Sequence, residues 1–426
     1  MLSLLVFVLL VALMLIGVPV AAAMGFISVG FFTILGEGNA LAVLPQRIYA
    51  GSTGITMLAI PFFILMGNLM NTGGITDRIF AFARACVGHW TGGLGQVNVF
   101  SSFLFAQMSG SAVADAAGLG NICVKAMVKA GFPLKFTTGV TAASSTLSPV
   151  FPPSIAMVVF ASITGASVGK LFMAGIIPGI LMTITLCVTV VIVSHREKFP
   201  KEPKVTFKER WHTFIKAAPS LMTAVIIIGG IWTGTFTPTE ASVIATFYAL
   251  ILGFVYRELT FKSLLEAVKR SILQAGMTLF IIAIANFFAY YLSHQRVPNQ
   301  LIMLMTTITT NHHIQMAIII LILLVIGLFV EGVAVFLIVT PIVLPLINAM
   351  GMDYVQFGIV MVLASMIGLL TPPVGMVLFA VSSVSGVDVM DVAKEVLPYL
   401  VGILLILIVA AYWPPLTLTL PGLLMN

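Results

Sequence analysis

Residues 145–161 read STLSPVFPPSIAMVVFA, and residues 365–380 read SMIGLLTPPVGMVLFA. Each stretch is apolar and carries two consecutive prolines, which remove two amide donors and leave carbonyl oxygens unpaired. In a segment long enough to span a membrane, such a break is tolerated only where protein or an aqueous cavity covers it. Broken helices in two related halves of one chain are typical of the binding sites of secondary transporters. The two stretches therefore predict an all-α transport protein.

The composition is that of a polytopic membrane protein. Hydrophobic residues make up 60% of the 426 residues, charged residues only 8%, and the mean hydropathy is +1.16. Soluble domains are about 45–50% apolar. The net charge of +6 comes from short loops between apolar segments, so we expect a lipid bilayer and no nucleic acid as partner. Cys86, Cys123 and Cys187 are too scattered for a disulfide framework or a metal site.

Ten apolar segments are long enough to cross a membrane. They are residues 2–17, 18–35, 56–72, 133–165, 168–194, 219–235, 240–256, 272–292, 354–385 and 396–413. Residues 97–130 and 315–350 are also apolar, but each contains a glycine-bearing break, at 109–111 and at 327–332. We interpret these two segments as re-entrant helical hairpins. Residues 75–94 and 296–313 mix polar and apolar positions, which favours helices lying along the membrane interface.

The basic residues predict the orientation. Of the 20 lysines and arginines, this layout puts only Arg47, Lys170 and Arg296 on the side opposite the loop 195–216. The remaining 17 share the side of that loop, which the positive-inside rule makes cytoplasmic. Both termini are then predicted to face outward.

The two halves are related by an offset of about 220 residues. Gly131 precedes Pro152 by 21 residues, just as Gly351 precedes Pro372. Because each half contains an odd number of crossings, the halves must be inverted. The predicted organisation is a first repeat at 1–194 with a cytoplasm-facing hairpin near 97–130, a linker at 195–218, a second repeat at 219–413 with an outward-facing hairpin near 315–350, and a tail at 414–426.

The hairpin tips and the broken helices hold the candidate site. Half-helix N-termini attract anions, whereas unwound carbonyl groups suit a hard cation such as Na⁺. Asp115 and Glu331 lie beside the tips, where a carboxylate costs about 2.5–3.5 kcal/mol at a helix centre. The substrate-binding candidates are Gly110, Asp115, Ser154, Glu331, Gly332, Pro372 and Pro373. No arginine clamp for a carboxylate is evident in the apolar segments, and no catalytic motif indicates an enzyme.

Plainer interpretations exist for these features. The Ser-Gly-Ser and Pro-Pro sequences are alternatively ordinary kinks packed against neighbouring helices. Asp115 is alternatively a cap that accepts hydrogen bonds from the amides of its own hairpin tip. Four irregularities at repeat-related positions favour the functional interpretation.

Several motifs in order resemble the large membrane subunit of tripartite ATP-independent periplasmic (TRAP) transporters, over residues 1 to 420. They are Ser109–Asp115 (SGSAVAD), Pro152–Ser154 (PPS), Lys170–Gly179 (KLFMAGIIPG), Phe236–Ala241 (FTPTEA) and Gly368–Gly375 (GLLTPPVG). The resemblance implies sodium-coupled uptake of an organic anion, such as a C4-dicarboxylate or sialic acid, across a bacterial inner membrane. It also implies an elevator mechanism, a small four-helix membrane subunit and a periplasmic substrate-binding protein as partners, and periplasmic termini.

The resemblance also implies two sodium sites. The first would comprise Ser109, Ser111, Ser148, Phe151 and Pro153, and the second Gly327, Gly368, Thr371 and Val374. The sequence departs from the family pattern at Ser148, where glycine is common, and at Glu331, where aspartate is frequent. An ion channel and a purely structural membrane scaffold remain the alternatives, because re-entrant hairpins also build selectivity filters. Two oppositely oriented hairpins in one subunit suit alternating access better than a pore.

The charge distribution predicts the outcome of a topology experiment. A reporter fused after Asn426 should indicate a periplasmic location, and a reporter inserted at Pro200 should indicate a cytoplasmic location. Paired phosphatase and fluorescent-protein fusions measure both positions. A cytoplasmic carboxyl terminus would mean that one hairpin crosses the membrane, which contradicts the inverted repeat.

Overall fold

A computed structural model describes residues 2–197 and 199–425 of the chain. Over these residues the secondary structure is helical, without a β-strand. The helices of the first half are α1 (Leu2–Leu15), α2 (Val20–Ile34), a 3₁₀ turn (Gly38–Val43), α3 (Leu44–Ser52), a second 3₁₀ turn (Ile55–Leu58), α4 (Ala59–Thr72), α5 (Ile75–Val87), α6 (Leu94–Ser109), α7 (Ala112–Ala117), α8 (Leu119–Lys129), α9 (Leu134–Ser145), α10 (Ile155–Thr164) and α11 (Val168–Glu197).

The described part of the second half is also built from helices. Its helices are α12 (Phe207–Ala224), a π-helical turn (Val225–Gly229), α13 (Gly230–Trp232), α14 (Pro238–Val255), α15 (Phe261–His294), α16 (Val297–Ile308), α17 (His312–Gly327), α18 (Gly332–Ala349), α19 (Tyr354–Leu369), α20 (Met376–Ser385), α21 (Val389–Tyr412) and α22 (Pro415–Leu424). The helices end at each of the breaks predicted from the sequence: at Gly110, after Gly327, and at both double prolines. The Pro152–Pro153 and Pro372–Pro373 peptide bonds are cis.

Seven helical segments within the described residues are long and apolar enough to cross a membrane, so the chain is a multi-pass membrane protein. Six of them coincide with predicted crossings. The seventh, α18, lies in a segment predicted to form a hairpin. Its most apolar stretch is 67% buried, against 33–50% for the other six, so α18 is packed inside the protein. Helices such as α11 and α14 instead expose apolar side chains, for example Ile184 and Val188 on α11 and Phe247 on α14.

The helices pack in two groups. An outer group is formed by α2, α3 and α4 around the long α15, with α14 against α4 and α12 against α5. An inner group contains α6–α11 and α17–α22, in which α10 packs against α18, α17 against α19, and α9 against α21. The two groups meet where α4 contacts α6 and where α15 and α16 contact α18. The candidate site lies at this boundary.

Polar side chains join helix ends from distant parts of the sequence. Glu37, after α2, accepts a hydrogen bond from the Gln295 amide at 2.8 Å and lies 3.3 Å from a ring nitrogen of His294, the last residue of α15. Lys135 at the start of α9 forms a 3.0 Å ion pair with Asp391 on α21. Arg84 on α5 forms an ion pair with Glu202, which fixes the connection between the halves against α5.

The predicted linker and the predicted tail both contain helical structure. Much of the predicted linker is helical, because α11 extends to Glu197 and α12 begins at Phe207, after a capping box formed by Thr206 and Glu209. Most of the predicted tail is also helical. Pro415 occupies the first turn of α22, where a missing amide is harmless, and α22 packs against α11. Asn426 lies outside the described residues.

A buried polar network joins α6 to α9. The Asn98 amide donates to the Thr141 hydroxyl at 2.7 Å, and the Ser144 hydroxyl donates to the Asn98 amide oxygen at 3.0 Å. The Ser102 hydroxyl donates to that of Ser144, also at 3.0 Å. All four side chains are at most 4% exposed, so the network holds α6 rigidly against α9, the helix that leads into the first double proline.

Replacing Asn98 with leucine should lower thermal stability. The substitution removes both amide hydrogen bonds in a buried site, which costs about 1–3 kcal/mol. Thermal melting of the purified protein, followed with a thiol-reactive dye, measures the change, and Thr306→Val on the exposed face of α16 is the control. A melting temperature equal to that of the wild type would show that the network does not stabilise the fold.

Candidate functional site

The first helix break after α6 packs directly against the first double proline. Gly110 has a φ of +63°, a conformation that suits glycine, and a Cβ atom at this position would lie 2.9 Å from the Pro153 carbonyl oxygen. The same Cβ would lie 3.3 Å from the amide nitrogen of Ile155. Only glycine therefore allows the tip between α6 and α7, which we call tip 1 (residues 109–111), to contact the broken helix this closely.

Serine hydroxyls surround tip 1. Ser111 caps α7 by accepting a hydrogen bond from the Ala114 amide, and Ser154 caps α10 by accepting one from the Met157 amide. The Ser109 hydroxyl contacts the Ser111 main chain at 3.3 Å. The fully buried Ser148 hydroxyl reaches the Ala106 carbonyl of α6 at 3.5 Å. These contacts bring Ser109, Ser111, Ser148 and Ser154 together at one break.

The first break also presents free main-chain oxygens. The Val150 and Phe151 amides both donate to Leu147, but no hydrogen bond among the described residues reaches the carbonyl oxygens of residues 148–153. The Phe151 ring turns away into the protein, 5.0 Å from the Phe103 ring centroid and against Gly179. Phe151 therefore offers only its carbonyl group to the break.

Asp115 lies behind tip 1 and is only 2% exposed. Neither carboxylate oxygen has a hydrogen-bond partner among the described residues, although the Ser109 and Ser148 hydroxyls lie nearby. The capping interpretation of Asp115 is wrong, because Ser111 caps α7 instead. Both oxygens of the Asp115 side chain can therefore still accept a hydrogen bond or bind a cation, and two serine hydroxyls lie beside them.

The second half builds its break from glycine contacts. A Cβ atom on Gly368 would lie 2.6 Å from both the carbonyl carbon and the carbonyl oxygen of Gly327, so the two backbones touch. The Thr371 hydroxyl donates to the Ile367 carbonyl at 2.6 Å and keeps its lone pairs free. The carbonyl oxygens of residues 370–374, which include Pro372, Pro373 and Val374, accept no hydrogen bond within the described chain.

Glu331 stands at the start of α18, beside tip 2 (residues 328–332). Its side chain caps no amide of α18 and forms no hydrogen bond or ion pair with the described residues. Glu331 lines a cavity of about 530 Å³ together with Gly332 and with Ser109, Gly110 and Ser111 of tip 1. The two tips therefore meet at one cavity, whose volume is typical of small-molecule sites.

The other predicted site residues do not line this cavity. They lie behind the tips or within the breaks, and they are Asp115, Ser148, Phe151, Pro153, Ser154, Gly327, Gly368, Thr371, Pro372, Pro373 and Val374. Their free oxygens are carbonyls and hydroxyls, the ligands that hard cations prefer. Within residues 2–197 and 199–425, no cluster of three or more His, Cys, Asp or Glu side chains is placed to hold a metal ion.

The sequence reasoning missed the opposite wall of the cavity. This wall, which we call the amide wall, consists of Asn68 and Asn71 on α4 and Gln274 and Thr278 on α15. The signal was present in the sequence: Asn68 and Asn71 are one turn apart in an apolar helix, as are Gln274 and Thr278. Polar pairs at helical spacing within a predicted crossing indicate a face that contacts protein or water.

Comparison with known proteins gives a consistent assignment. Residues 7–416 match the family model described as the DctM component of the tripartite ATP-independent periplasmic transporter. The chain is 39% identical over 408 residues to the sialic acid TRAP transporter large permease protein SiaM of Vibrio cholerae, covering 96% of this chain and 95% of SiaM. It is 40% identical over 394 residues to the C4-dicarboxylate TRAP transporter large permease protein DctM of Pseudomonas aeruginosa, covering 91% of each chain.

A further relative and two solved structures also match the chain. The chain is 34% identical over 402 residues to the 2,3-diketo-L-gulonate TRAP transporter large permease protein YiaN of Escherichia coli, covering 94% of each chain. Among solved structures, the Alcanivorax borkumensis YdaH transporter matches with a TM-score of 0.64 over 90% of both chains, at 13% sequence identity. The Neisseria gonorrhoeae MtrF structure matches with a TM-score of 0.56 over 88% of this chain and 84% of that chain, at 14% identity. At these identities the structural likeness concerns the fold alone.

The contact between Gly327 and Gly368 predicts a strict size limit at the second break. Gly368→Ala should force the two backbones apart and reduce transport by roughly tenfold or more, because the added methyl has no room. Gly30→Ala on α2, where a Cβ atom meets nothing within 4 Å, is the matched control. Uptake of a radiolabelled substrate by cells that express equal amounts of each variant measures the effect. Normal uptake by Gly368→Ala would contradict the contact.

Proposed function

Because the chain belongs to the DctM component family of tripartite ATP-independent periplasmic transporters, we propose that it is the large permease subunit of a sodium-coupled importer of an organic anion. As a family member it is a transport protein of the membrane and not an enzyme. Family membership favours this function over the channel and scaffold alternatives. The observation that carries the sodium coupling is the pair of breaks with free carbonyl oxygens.

An organic acid is the class of substrate that the relatives support. The relatives named above are permeases for sialic acid, for C4-dicarboxylates and for 2,3-diketo-L-gulonate. All of these are carboxylic acids of small size. The 530 Å³ cavity between the two tips is the proposed binding site, with Gly110, Glu331 and Gly332 in direct contact with substrate. In this proposal Asp115, Ser154, Pro372 and Pro373 shape the site from behind.

Two sodium ions are proposed to bind at the breaks. The first break offers hydroxyl oxygens of Ser109, Ser111 and Ser148 and carbonyl oxygens of Phe151 and Pro153, with the Asp115 carboxylate beside them. The second break offers carbonyl oxygens of Gly327, Gly368 and Val374 and the oxygens of Thr371. Bound sodium would supply positive charge close to an anionic substrate. The residues fit such ions because they combine several neutral oxygens with close glycine packing.

The transport movement is proposed to be of the elevator type. The inner group carries both tips and both breaks, whereas the outer group is formed around α15. In this proposal the inner group moves and the outer group supports it. We propose that the segments α6–α8 and α17–α18 are re-entrant hairpins of opposite orientation in a bacterial inner membrane.

Two protein partners complete the proposed system. A small four-helix membrane subunit would pack against the outer group, and a periplasmic binding protein would deliver the substrate. The proposed docking surface for the binding protein comprises the outward segments 36–55 and 293–313. In this region Arg47 stacks 4.7 Å from the centre of the Tyr290 ring, which fixes the 3₁₀ turn and α3 against α15. Both termini are proposed to lie on the same periplasmic side.

The sodium dependence of Thr371→Val tests the coupling. Valine keeps the side-chain volume but removes the hydroxyl oxygen, so the sodium concentration for half-maximal uptake should rise by roughly fivefold, which corresponds to about 1 kcal/mol. Thr371→Ser retains the oxygen and should restore the wild-type value. The measurement is initial uptake in proteoliposomes that contain both membrane subunits, with the binding protein outside.

The control is Thr419→Val, on the exposed face of α22 and outside both breaks and both proposed docking segments. Superimposable sodium curves for the wild type and Thr371→Val would remove Thr371 from the site. Uptake that is independent of sodium in every variant would refute the coupling itself.

A further inference from the structure

The amide wall of the cavity has a hydrogen-bonding pattern that can be worked out atom by atom. The Ser271 hydroxyl donates its only proton to the Ala267 carbonyl at 2.7 Å, so it can only accept from Asn68. The Asn68 amide nitrogen therefore faces Ser271, at 2.9 Å. The second proton of the same nitrogen goes to the Gln274 side-chain oxygen, also at 2.9 Å. These bonds fix the orientation of both amides.

The fixed orientation leaves specific groups free for a ligand. The Gln274 amide nitrogen keeps two free protons, and the Asn68 amide oxygen accepts no hydrogen bond within the described residues. The Thr278 hydroxyl donates to the Gln274 carbonyl at 3.0 Å and keeps its lone pairs. Asn71 receives only a long 3.4 Å bond from Thr76 on its oxygen, so its amide nitrogen is also free. The wall thus presents both free donors and free acceptors.

A wall that offers both donors and acceptors is complementary to hydroxyl groups, because each hydroxyl group both donates and accepts. A carboxylate only accepts, so a carboxylate against this wall would leave the free oxygens of Asn68 and Thr278 without donors. A site built to pair with hydroxyl groups also discriminates strongly against an analogue that lacks them. The wall therefore favours the polyol part of a ligand over a second carboxylate.

The charges around the cavity lead to the same conclusion. Among its lining residues the only ionisable side chain is Glu331, and no lysine, arginine or histidine is present. Arg270, one turn before Gln274 on α15, is exposed and does not line the cavity. The proposed sodium ions lie at the breaks behind the tips, so a second carboxylate at the amide wall would meet no cationic side chain, and like charges near Glu331 repel. The cavity thus disfavours a dianion.

One carboxylate has a suitable place on the first half of the chain. Ile155 and Ala156, the first residues of the ten-residue helix α10, line the cavity beside Gly110. The capping hydroxyl of Ser154 occupies the Met157 amide, which leaves the amides of Ile155 and Ala156 without helical partners. A carboxylate at this point accepts from main-chain amides and lies on the positive end of the helix dipole.

We infer that the transported anion is a polyhydroxylated monocarboxylate, a sugar acid, whose hydroxyl groups bind the amide wall through Gln274 and Asn68. The same lining disfavours a dicarboxylate. This inference rests on the proposed function, which requires an organic anion but does not choose between the two classes. Gln274 is the specificity-determining residue, because it supplies the free donors in the middle of the wall.

Three six-carbon acids separate the effect of the hydroxyl groups from the effect of a second carboxylate. Gluconate carries five hydroxyls and one carboxylate, glucarate replaces the terminal hydroxymethyl group with a second carboxylate, and hexanoate has no hydroxyl. The measurement is the increase in melting temperature of the purified complex of large and small subunits with each acid in sodium chloride, without the binding protein. Gluconate should half-saturate at a concentration roughly tenfold or more below that of glucarate or hexanoate.

Two variants of Gln274 test the assignment. Gln274→Leu should raise the half-saturating gluconate concentration by roughly fivefold and leave hexanoate unchanged, because only a hydroxyl contact is lost. Gln274→Lys adds a cation to the wall and should lower the half-saturating glucarate concentration below that of the wild type. The matched control is Gln46→Leu, which removes an exposed amide on α3 that does not line the cavity. Gln46 lies in the proposed docking surface, but the binding protein is absent from this assay, so the variant should bind all three acids like the wild type.

The outcomes distinguish this inference from the proposed function. If glucarate or hexanoate binds as well as gluconate, the inference is overturned and organic-acid transport stands. If Gln274→Leu binds gluconate like the wild type, the role of the amide wall is overturned. If none of the three acids stabilises the complex, the sugar-acid assignment fails, and sodium-driven uptake of a wider acid panel with the binding protein decides whether the proposed function fails with it.

Discussion

The carbonyl oxygens at the two double prolines impose the main constraint on this structure. A buried polar group without a partner costs about 1–3 kcal/mol, and each break leaves several such groups in the interior of a membrane protein. Neighbouring helices cannot satisfy carbonyl groups with their own amides, because those amides already bond within their helices. The remaining solution is a polar enclosure, and the tips supply it. Gly110 approaches Pro153 and Gly327 approaches Gly368 at distances that exclude any side chain, so these glycines close each break from one side.

The two breaks solve this constraint with different chemistry. The first surrounds its carbonyls with serine hydroxyls and a buried carboxylate, and the Asn98 network attaches its supporting helices to one another. The second has a direct glycine contact, a single threonine hydroxyl and a carboxylate that faces the cavity. The halves are therefore similar in their chain path and unequal in their polarity. Glu331 lines the cavity, whereas Asp115 is buried behind tip 1, so the two acidic residues have different surroundings.

Proline and glycine made the breaks predictable, because their effects on the backbone are local. The double prolines and the glycines at 110 and 327 act within one turn, and the helices end there. The capping box that starts α12 is equally local, whereas the position of α22 depends on its packing against α11, which no local pattern indicates. The amide wall was missed for the same reason. Asn68 and Gln274 are separated by 206 residues, and nothing local indicates that they share a hydrogen bond. The cavity exists only in the packed structure.

The division of the cavity between two helix groups has a consequence for the proposed mechanism. Tips 1 and 2 belong to the inner group, and the amide wall belongs to α4 and α15 of the outer group. A ligand that contacts both walls bridges the groups, so one set of contacts must break when the groups move past each other. Neutral hydrogen bonds contribute about 0.5–1.5 kcal/mol each, while those to charged groups contribute about 1.5–3 kcal/mol. Because the amide wall is neutral, its bonds would break first in the proposed movement, and the ligand would stay with the tips. The wall can therefore select hydroxyl groups without holding the substrate too tightly for the movement to occur.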